Sequence, residues 1–407
     1  MRILFVTDFY HPFIGGVEIH VRTLAHALVE RGHEVAVATL PTSGDTPQRT
    51  EDGPVTVFTV GHLAQRVGAR FSHVDRPWAP PFPDPLSVKD LRAAVKEFAP
   101  DVIHGHDWLA RSAQPGLVSR DIPFVTTLHY YTRGCAKKTM WRDGAICEGP
   151  ALRRCLSCAS DHYGAVRGVA VTLGIRAAGL LENRRTDRWI SVSAATESLS
   201  GLGDDPSATV IYNPVPSVQG PPAEETPLPP ELEGQPFMLF VGDIRPEKGV
   251  SVLAEAVTLM RAGGNHTPLV IVGERMSSEI TLPPGTFELG PVPNPVVKAL
   301  WSKATIGVVP SLWPEPFGLV AIEAMEAGCA LVASDVGGLS EILGEDRGSL
   351  VPPGDADALA TAMIDLLADG ELRQRRSASA LVSMERFAVD KIIDQIEAEY
   401  HQVVSPS

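Results

Sequence analysis

Glu315 and Glu323 stand eight residues apart in the run Trp313-Pro314-Glu315-Pro316-Phe317-Gly318-Leu319-Val320-Ala321-Ile322-Glu323-Ala324-Met325-Glu326-Ala327-Gly328. Pro316 and Gly318 keep a helix from starting earlier, the stretch from Leu319 to Ala327 holds strong helix formers, and Gly328 follows as a stop. Glu315 therefore precedes the helix and Glu323 lies inside it. Two acceptors about two turns apart can hold hydroxyls on separate parts of one long ligand, and the N–H groups of Phe317, Gly318 and Leu319 at the helix start face any anion nearby. A sugar attached to a nucleotide has that layout. Taken alone, the spacing is equally a polar turn followed by a solvated helix residue, so the surroundings decide.

Two loops elsewhere look equipped for phosphate. In Val241-Gly242-Asp243-Ile244-Arg245-Pro246-Glu247-Lys248-Gly249, two cations follow a strand pattern and precede a helical one. Pro12-Phe13-Ile14-Gly15-Gly16-Val17-Glu18 joins the first strand to the first helix, and its paired glycines let backbone approach a ligand at a helix N-terminus. It lacks the Gly-x-Gly-x-x-Gly fingerprint of dinucleotide binding. Two histidines follow strand patterns: His106 in His104-Gly105-His106-Asp107, and His129 in Val125-Thr126-Thr127-Leu128-His129.

With these residues in order, the chain resembles the retaining glycosyltransferases of family 4, whose signature is Glu-x7-Glu and whose fold is GT-B. The resemblance implies that Glu315 contacts the donor sugar and Glu323 the ribose. It implies that Arg245 and Lys248 grip the donor diphosphate, and that Gly15 and Gly16 reach the same phosphates when the domains close. Val292, in Leu289-Gly290-Pro291-Val292, falls in the segment that packs the nucleobase, with uridine favoured. His129 follows a Thr-x-His strand end that carries a functional histidine in the family, so His129 and His106 are expected at the sugar or acceptor. Cleaving a sugar–phosphate bond builds negative charge on the departing diphosphate, and fixed cations stabilise that charge more than the ground state. The family's reaction is generally described as front-face attack in which the departing phosphate helps take the acceptor's proton. That scheme needs no divalent metal and no catalytic cofactor.

These loops must hang on alternating strands and helices. Ile3 to Val6 is an apolar run, Val17, Val21, Leu24 and Leu28 recur at helical spacing, and Glu34 to Leu40 is rich in β-branched residues. Val55 to Val60, Asp101 to His104, Pro123 to Leu128, Trp189 to Val192 and Thr209 to Tyr212 are further strand candidates. A second series reads strand Phe237 to Val241, helix Gly249 to Ala262, strand Leu269 to Val272, helix Pro295 to Ala304, and strands Ile306 to Val309 and Ala330 to Ala333. Between the series, residues 213–236 are too rich in proline for a sheet interior. The expectation is an α/β protein with two doubly wound Rossmann-like domains facing a cleft. An acceptor-binding domain spans 1–212, with a cysteine insertion at 133–163. Residues 213–236 form the linker, 237–385 a nucleotide-sugar-binding domain, and 386–407 a terminal helix that packs back on the first domain by analogy with the family.

At 407 residues the chain exceeds the usual size of one core. Its net charge of −14 argues against nonspecific nucleic-acid binding. The first apolar run is too short for a secretory leader, and the stretch from Gly168 to Leu181 carries Arg176, so no transmembrane segment is expected. The reading is a cytoplasmic protein that touches a membrane only at its periphery, if its acceptor is a lipid. Cys135, Cys147, Cys155 and Cys158 lie within 24 residues in a polar segment, and Cys-x2-Cys is the usual knuckle of a structural zinc site. Spacing leaves an iron–sulfur cluster as the alternative. The function expected is transfer of a sugar from a nucleoside diphosphate donor to a hydroxyl acceptor. A sugar-nucleotide epimerase of the same fold and a noncatalytic sugar-nucleotide-binding protein are the alternatives.

Overall fold

The computed structural model describes residues 1–13, 15–41, 48–63, 79–215 and 228–404. Ile14 and most of the proline-rich linker, residues 216–227, lie outside the described residues. The chain divides into two compact units, one of residues 1–140, 148–216 and 387–407, the other of residues 141–147 and 217–386. Residues 141–147, expected in the first domain as part of the cysteine insertion, thus group with the second unit.

The first unit is built on an eight-stranded sheet. Its strands are β1 (Arg2–Thr7), β2 (Glu34–Thr39), β3 (Arg49–Asp52), β4 (Val55–Thr59), β5 (Val102–His106) and β6 (Phe124–Leu128). After the short hairpin strands β7 (Trp141–Arg142) and β8 (Ala145–Ile146) come β9 (Arg188–Ser191) and β10 (Ala208–Val210). The order β10-β9-β6-β5-β1-β2-β4-β3 is parallel except at the β3 edge, which pairs antiparallel with β4. The interior strands are buried on both faces, which is why β1 and β2 read as nearly continuous apolar runs. Helices α1 (Gly16–Glu30), α2 (Pro85–Phe98), α3 (Leu152–Tyr163), α4 (Ala165–Glu182) and α5 (Ala194–Leu199) belong to this unit. Its last element is the C-terminal helix, Val389–Val404, whose Ile392, Ile393, Ile396 and Tyr400 share a core with Ile3, Phe5, Val21 and Leu24. Arg31 reaches that helix at Asp390 and Asp394, 3.2 and 2.8 Å.

The second unit carries a six-stranded parallel sheet of β11 (Met238–Val241), β12 (Leu269–Val272), β13 (Thr286–Gly290), β14 (Ile306–Val309), β15 (Leu331–Ser334) and β16 (Ser349–Val351). Its order is β13-β12-β11-β14-β15-β16. Helices α6 (Val250–Ala262), α7 (Asn294–Lys303), α8 (Leu319–Glu326), α9 (Gly338–Leu343), α10 (Ala356–Ala368) and α11 (Gly370–Ser383) complete it. In both sheets the chain reverses its direction of growth beside the first strand of the unit, the kind of point where open α/β sheets bind ligands beyond the carboxyl ends of their strands.

Gly249 ends the loop after β11 with φ 72°, and a Cβ there would overlap the carbonyl oxygen of Pro310. Backbone and side chain both exclude any other residue. Gly249→Ala is expected to cost several kcal/mol of unfolding free energy, more than the ~1 kcal/mol expected for Gly264→Ala, which has a left-handed φ of 89° but open space around it. Denaturant midpoints of the two variants check the ordering, and equal losses would refute the close-approach account.

Candidate functional site

In the second unit, the loops after β11 and β14 bring the cation and the carboxylate together. Lys248 Nζ donates to Glu315 Oε1 at 2.7 Å. The same oxygen accepts from Ser311 Oγ and from Trp313 Nε1, both at 2.9 Å. Glu315 is only 8% exposed, and three donors on one oxygen are what makes an ionised carboxylate tolerable there. The backbone interlocks too: Leu312 N donates to Glu247 O at 2.9 Å, and Gly338 N to Glu315 O at 2.7 Å. Gly337, with φ 58°, lies so close that a Cβ would overlap the Glu315 backbone.

Arg245 reaches the carboxylates of Asp243 and Glu247 at 3.1 and 3.6 Å, and its Nε is buried without a hydrogen-bond partner. Ion pairs at that exposure are weak, so Arg245 is readily redirected to an anionic ligand. Phe317 is buried, and Gly318, at φ 94°, caps α8. Leu319 opens the helix, and Glu323 sits one turn further on, accepting from Asn294 Nδ2 at 3.3 Å. Burial raises the Glu323 carboxyl above the ordinary carboxylate range. Val292 is half-buried, between β13 and α7. One Asp-x-Asp triplet occurs, Asp355-Ala356-Asp357, but Asp355 caps α10 by accepting from Ala358 N at 2.9 Å. That role is structural.

In the first unit, Gly15 is the N-cap of α1 and Gly16 its first residue. Glu18 is buried with its carboxylate against Gly15, so an acid already lies by this helix start. The β5 register points His104 and His106 to one face of the sheet, and His129 follows β6 on that face. His106 Nδ1 and His129 Nε2 are 2.9 Å apart, and the two rings lie 5.1 Å apart at 24°. His20 of α1 stands edge-on to His129, ring centroids 4.5 Å apart. His104 stacks on His106 at 4.4 Å and is itself held by Tyr400 Oη and Thr127 Oγ1, at 2.6 and 2.7 Å. Burial is the main force keeping all four imidazoles neutral. It lowers His104 and His129 to about 3, with repulsion from His20 and His104 respectively adding to it. His20 and His106 are held well below the ordinary value by burial and by neighbouring histidines.

Sequence reasoning selected Arg245, Lys248, Glu315, Glu323, His106 and His129 but missed the residues that hold them. His20 looks like any helical residue, and Ser311, Trp313 and Asn294 carry no spacing signal. Gly337-Gly338 was missed as well. Asp8, after β1, was also missed; it accepts from Leu109 N at 2.7 Å, and burial with the Asp107 charge pushes it up to about 7.

Zinc binding by the four cysteines finds no support among the described residues. A tetrahedral site with Zn–S of about 2.3 Å brings its thiols to roughly 3.8 Å from one another. No three of Cys135, Cys147, Cys155 and Cys158 bring their sulfurs within 4.8 Å of one another. Cys155 and Cys158 sit on α3, and Cys135 in the turn where its N donates to Tyr131 O at 3.0 Å. Among the described residues the one set of three metal-capable side chains that does converge is His20, His106 and His129. Cys329 is buried, its thiol pushed up to about 12 by that burial, as an ordinary core residue.

Two doubly wound, Rossmann-like sheets of this topology are the architecture of the GT-B class of glycosyltransferases. The model for Glycosyltransferase Family 4 matches residues 14–217, and that for Glycosyl transferases group 1 matches 224–381. The chain is 30% identical over 406 residues to a glycogen synthase of Mycobacterium tuberculosis, covering 93% of this chain and 89% of that one. It is 28% identical to a phosphatidyl-myo-inositol mannosyltransferase of Mycolicibacterium smegmatis, covering 99% and 94%. Its fold is similar to sucrose-phosphate synthase from Thermosynechococcus elongatus, TM-score 0.69 at 22% identity over the whole of both chains. Anabaena HepE, solved in complex with UDP-glucose, gives a TM-score of 0.63 at 20% identity over 98% of each chain. The chain belongs to glycosyltransferase family 4 and is an enzyme of sugar transfer.

The neutral histidines set a pH dependence. Each binds fewer protons folded than unfolded between its folded value, about 3 for His104 and His129, and the ordinary 6.5, so unfolding free energy rises with pH across that window. Stability is fully present above about 6.5 and is lost as pH falls, on the order of 1 kcal/mol per unit for each such histidine. Urea midpoints at about pH 7 and about pH 5 measure this, and an unchanged midpoint would contradict the burial account.

Proposed function

We propose that this enzyme is a retaining, metal-independent glycosyltransferase that moves a hexosyl group from a UDP-sugar to a hydroxyl acceptor in the cytoplasm. The observation that carries the reading is the 2.7 Å contact of Lys248 with Glu315, made by two loops at the carboxyl ends of adjacent strands. Lys248 and Arg245 bind the diphosphate, and Glu315 and Glu323 accept from hydroxyls of the sugar and the ribose. The half-buried Val292 lies where a nucleobase packs. The helix start from Phe317 to Leu319 adds backbone dipole to the cations. His106 and His129 serve the transferred sugar or its acceptor, and Gly15 and Gly16 meet the donor phosphates.

The bond from the anomeric carbon to the phosphate oxygen breaks as the bond to the acceptor oxygen forms on the same face. The acceptor's proton passes to the departing phosphate oxygen. The residues described supply no carboxylate nucleophile in this scheme; they contribute orientation and charge stabilisation. Lys248 gains most as the leaving group becomes more negative, because its ground-state partner Glu315 is shared with two neutral donors. The UDP-glucose complex of the similar HepE fold supports the choice of donor.

A thermal-shift screen of nucleotide sugars is expected to single out a UDP-sugar, since a true donor stabilises the fold by mass action. With that donor, Lys248→Ala and Glu315→Ala should each lower kcat/KM by about 10²-fold or more. Retention of α configuration should show in the product by NMR, and EDTA should leave turnover intact. Wild-type turnover in both variants would end this assignment.

A further inference from the structure

Four neutral histidines in one core raise the question of which ring nitrogens carry the protons. His106 Nδ1 faces His129 Nε2 at 2.9 Å, so a single proton lies between two neutral rings. If His129 donates, His106 must carry its other proton on Nε2, which is buried and has no hydrogen-bond partner. If His106 donates, that buried Nε2 is a bare lone pair. Orphaned buried donors are rarer and costlier than under-used acceptors, so the second arrangement wins. His129 then has its own proton on Nδ1, the nitrogen outside the pair.

We infer that His106 is a positioning residue that fixes His129 as the Nδ1–H tautomer, making His129 a hydrogen-bond donor to an oxygen of the sugar or phosphate rather than a base. The inference rests on the reading of His129 as a ligand contact, but the tautomer itself does not. Four further contacts keep the pair in register. His104 stacks on His106 at 4.4 Å, Tyr400 Oη and Thr127 Oγ1 occupy both nitrogens of His104, and His20 closes the other side of His129. The C-terminal helix, through Tyr400, therefore sets the plane of a ring two residues removed from it in the network.

The convergence of His20, His106 and His129 within 4.8 Å would also suit a metal ion bound by three imidazoles. Ligating histidines almost always donate their second ring nitrogen to a carboxylate, carbonyl or water, whereas Nε2 of His106 lacks any partner and the hydrogen-bonding group beside His20 is the side-chain amide of Asn213. The tautomer assignment is the better account.

The test is two-bond proton–nitrogen NMR on the full, untagged chain labelled with 15N-histidine and free of substrate. The expected result is a single Nδ1-protonated pattern for His129, assigned by its loss in His129→Asn. His106→Asn keeps an N–H near the Nδ1 position and should preserve that pattern. His106→Phe fills the ring volume without a donor and should give averaged nitrogen shifts at an unchanged melting temperature. With the accepted donor, kcat/KM of His106→Phe should fall about tenfold below that of His106→Asn, the size of one hydrogen bond, mostly in kcat. An Nε2-protonated or averaged His129 in the wild-type chain overturns the inference even if turnover is normal. One equivalent of tightly held metal that disappears in His20→Asn overturns it too. Absence of turnover with the predicted tautomer present would instead count against the functional reading alone.

Discussion

A carboxylate withdrawn from water must be surrounded by donors, and in the second unit that requirement organises three loops at once. Glu315 is satisfied by a hydroxyl, an indole and an ammonium group from the loops after β11 and β14. Its backbone is pinned by the glycine pair after β15. Gly249 can lie against Pro310 only because it has no side chain, and this closeness is what brings Lys248 within reach. Moving any of these loops would leave a buried charge with too few partners, so the site is rigid before any ligand arrives.

The first unit reaches rigidity by the opposite means. Its histidines are held by stacking and by hydrogen bonds between neutral rings, with no ion pair among them. The second unit thus presents fixed charge and the first fixed uncharged polarity. A diphosphate calls for the charge, and sugar hydroxyls are well served by the uncharged polarity.

The alternation of strands and helices was legible because buried parallel strands are apolar throughout: β12 and β14 begin and end where the apolar runs Leu269 to Val272 and Ile306 to Val309 do. The edge strand β3, Arg-Thr-Glu-Asp, was not, since it has no buried face to imprint a pattern. Glu315 and Lys248 could be picked out from local spacing and loop position, but their contact could not, because it depends on two loops 67 positions apart in the chain. The cysteines show the converse. Their spacing permitted a metal site, yet spacing does not fix where helix α3 and the turn at Cys135 put each thiol, and no three of them converge. His20 was invisible because a polar residue within a helical pattern acquires meaning only from what the opposite sheet presents.

The first strand and the last helix of the chain belong to one core. Ile392, Ile393, Ile396 and Tyr400 fill a groove over Phe5 and Val21. On the ribosome, where domains emerge from the N-terminus onward at about 5–20 residues per second, that groove stays uncovered until the whole second unit has been made. The nascent first unit therefore spends on the order of ten seconds with an open apolar face. It has to remain soluble through that interval, a demand on translation that the finished enzyme no longer shows.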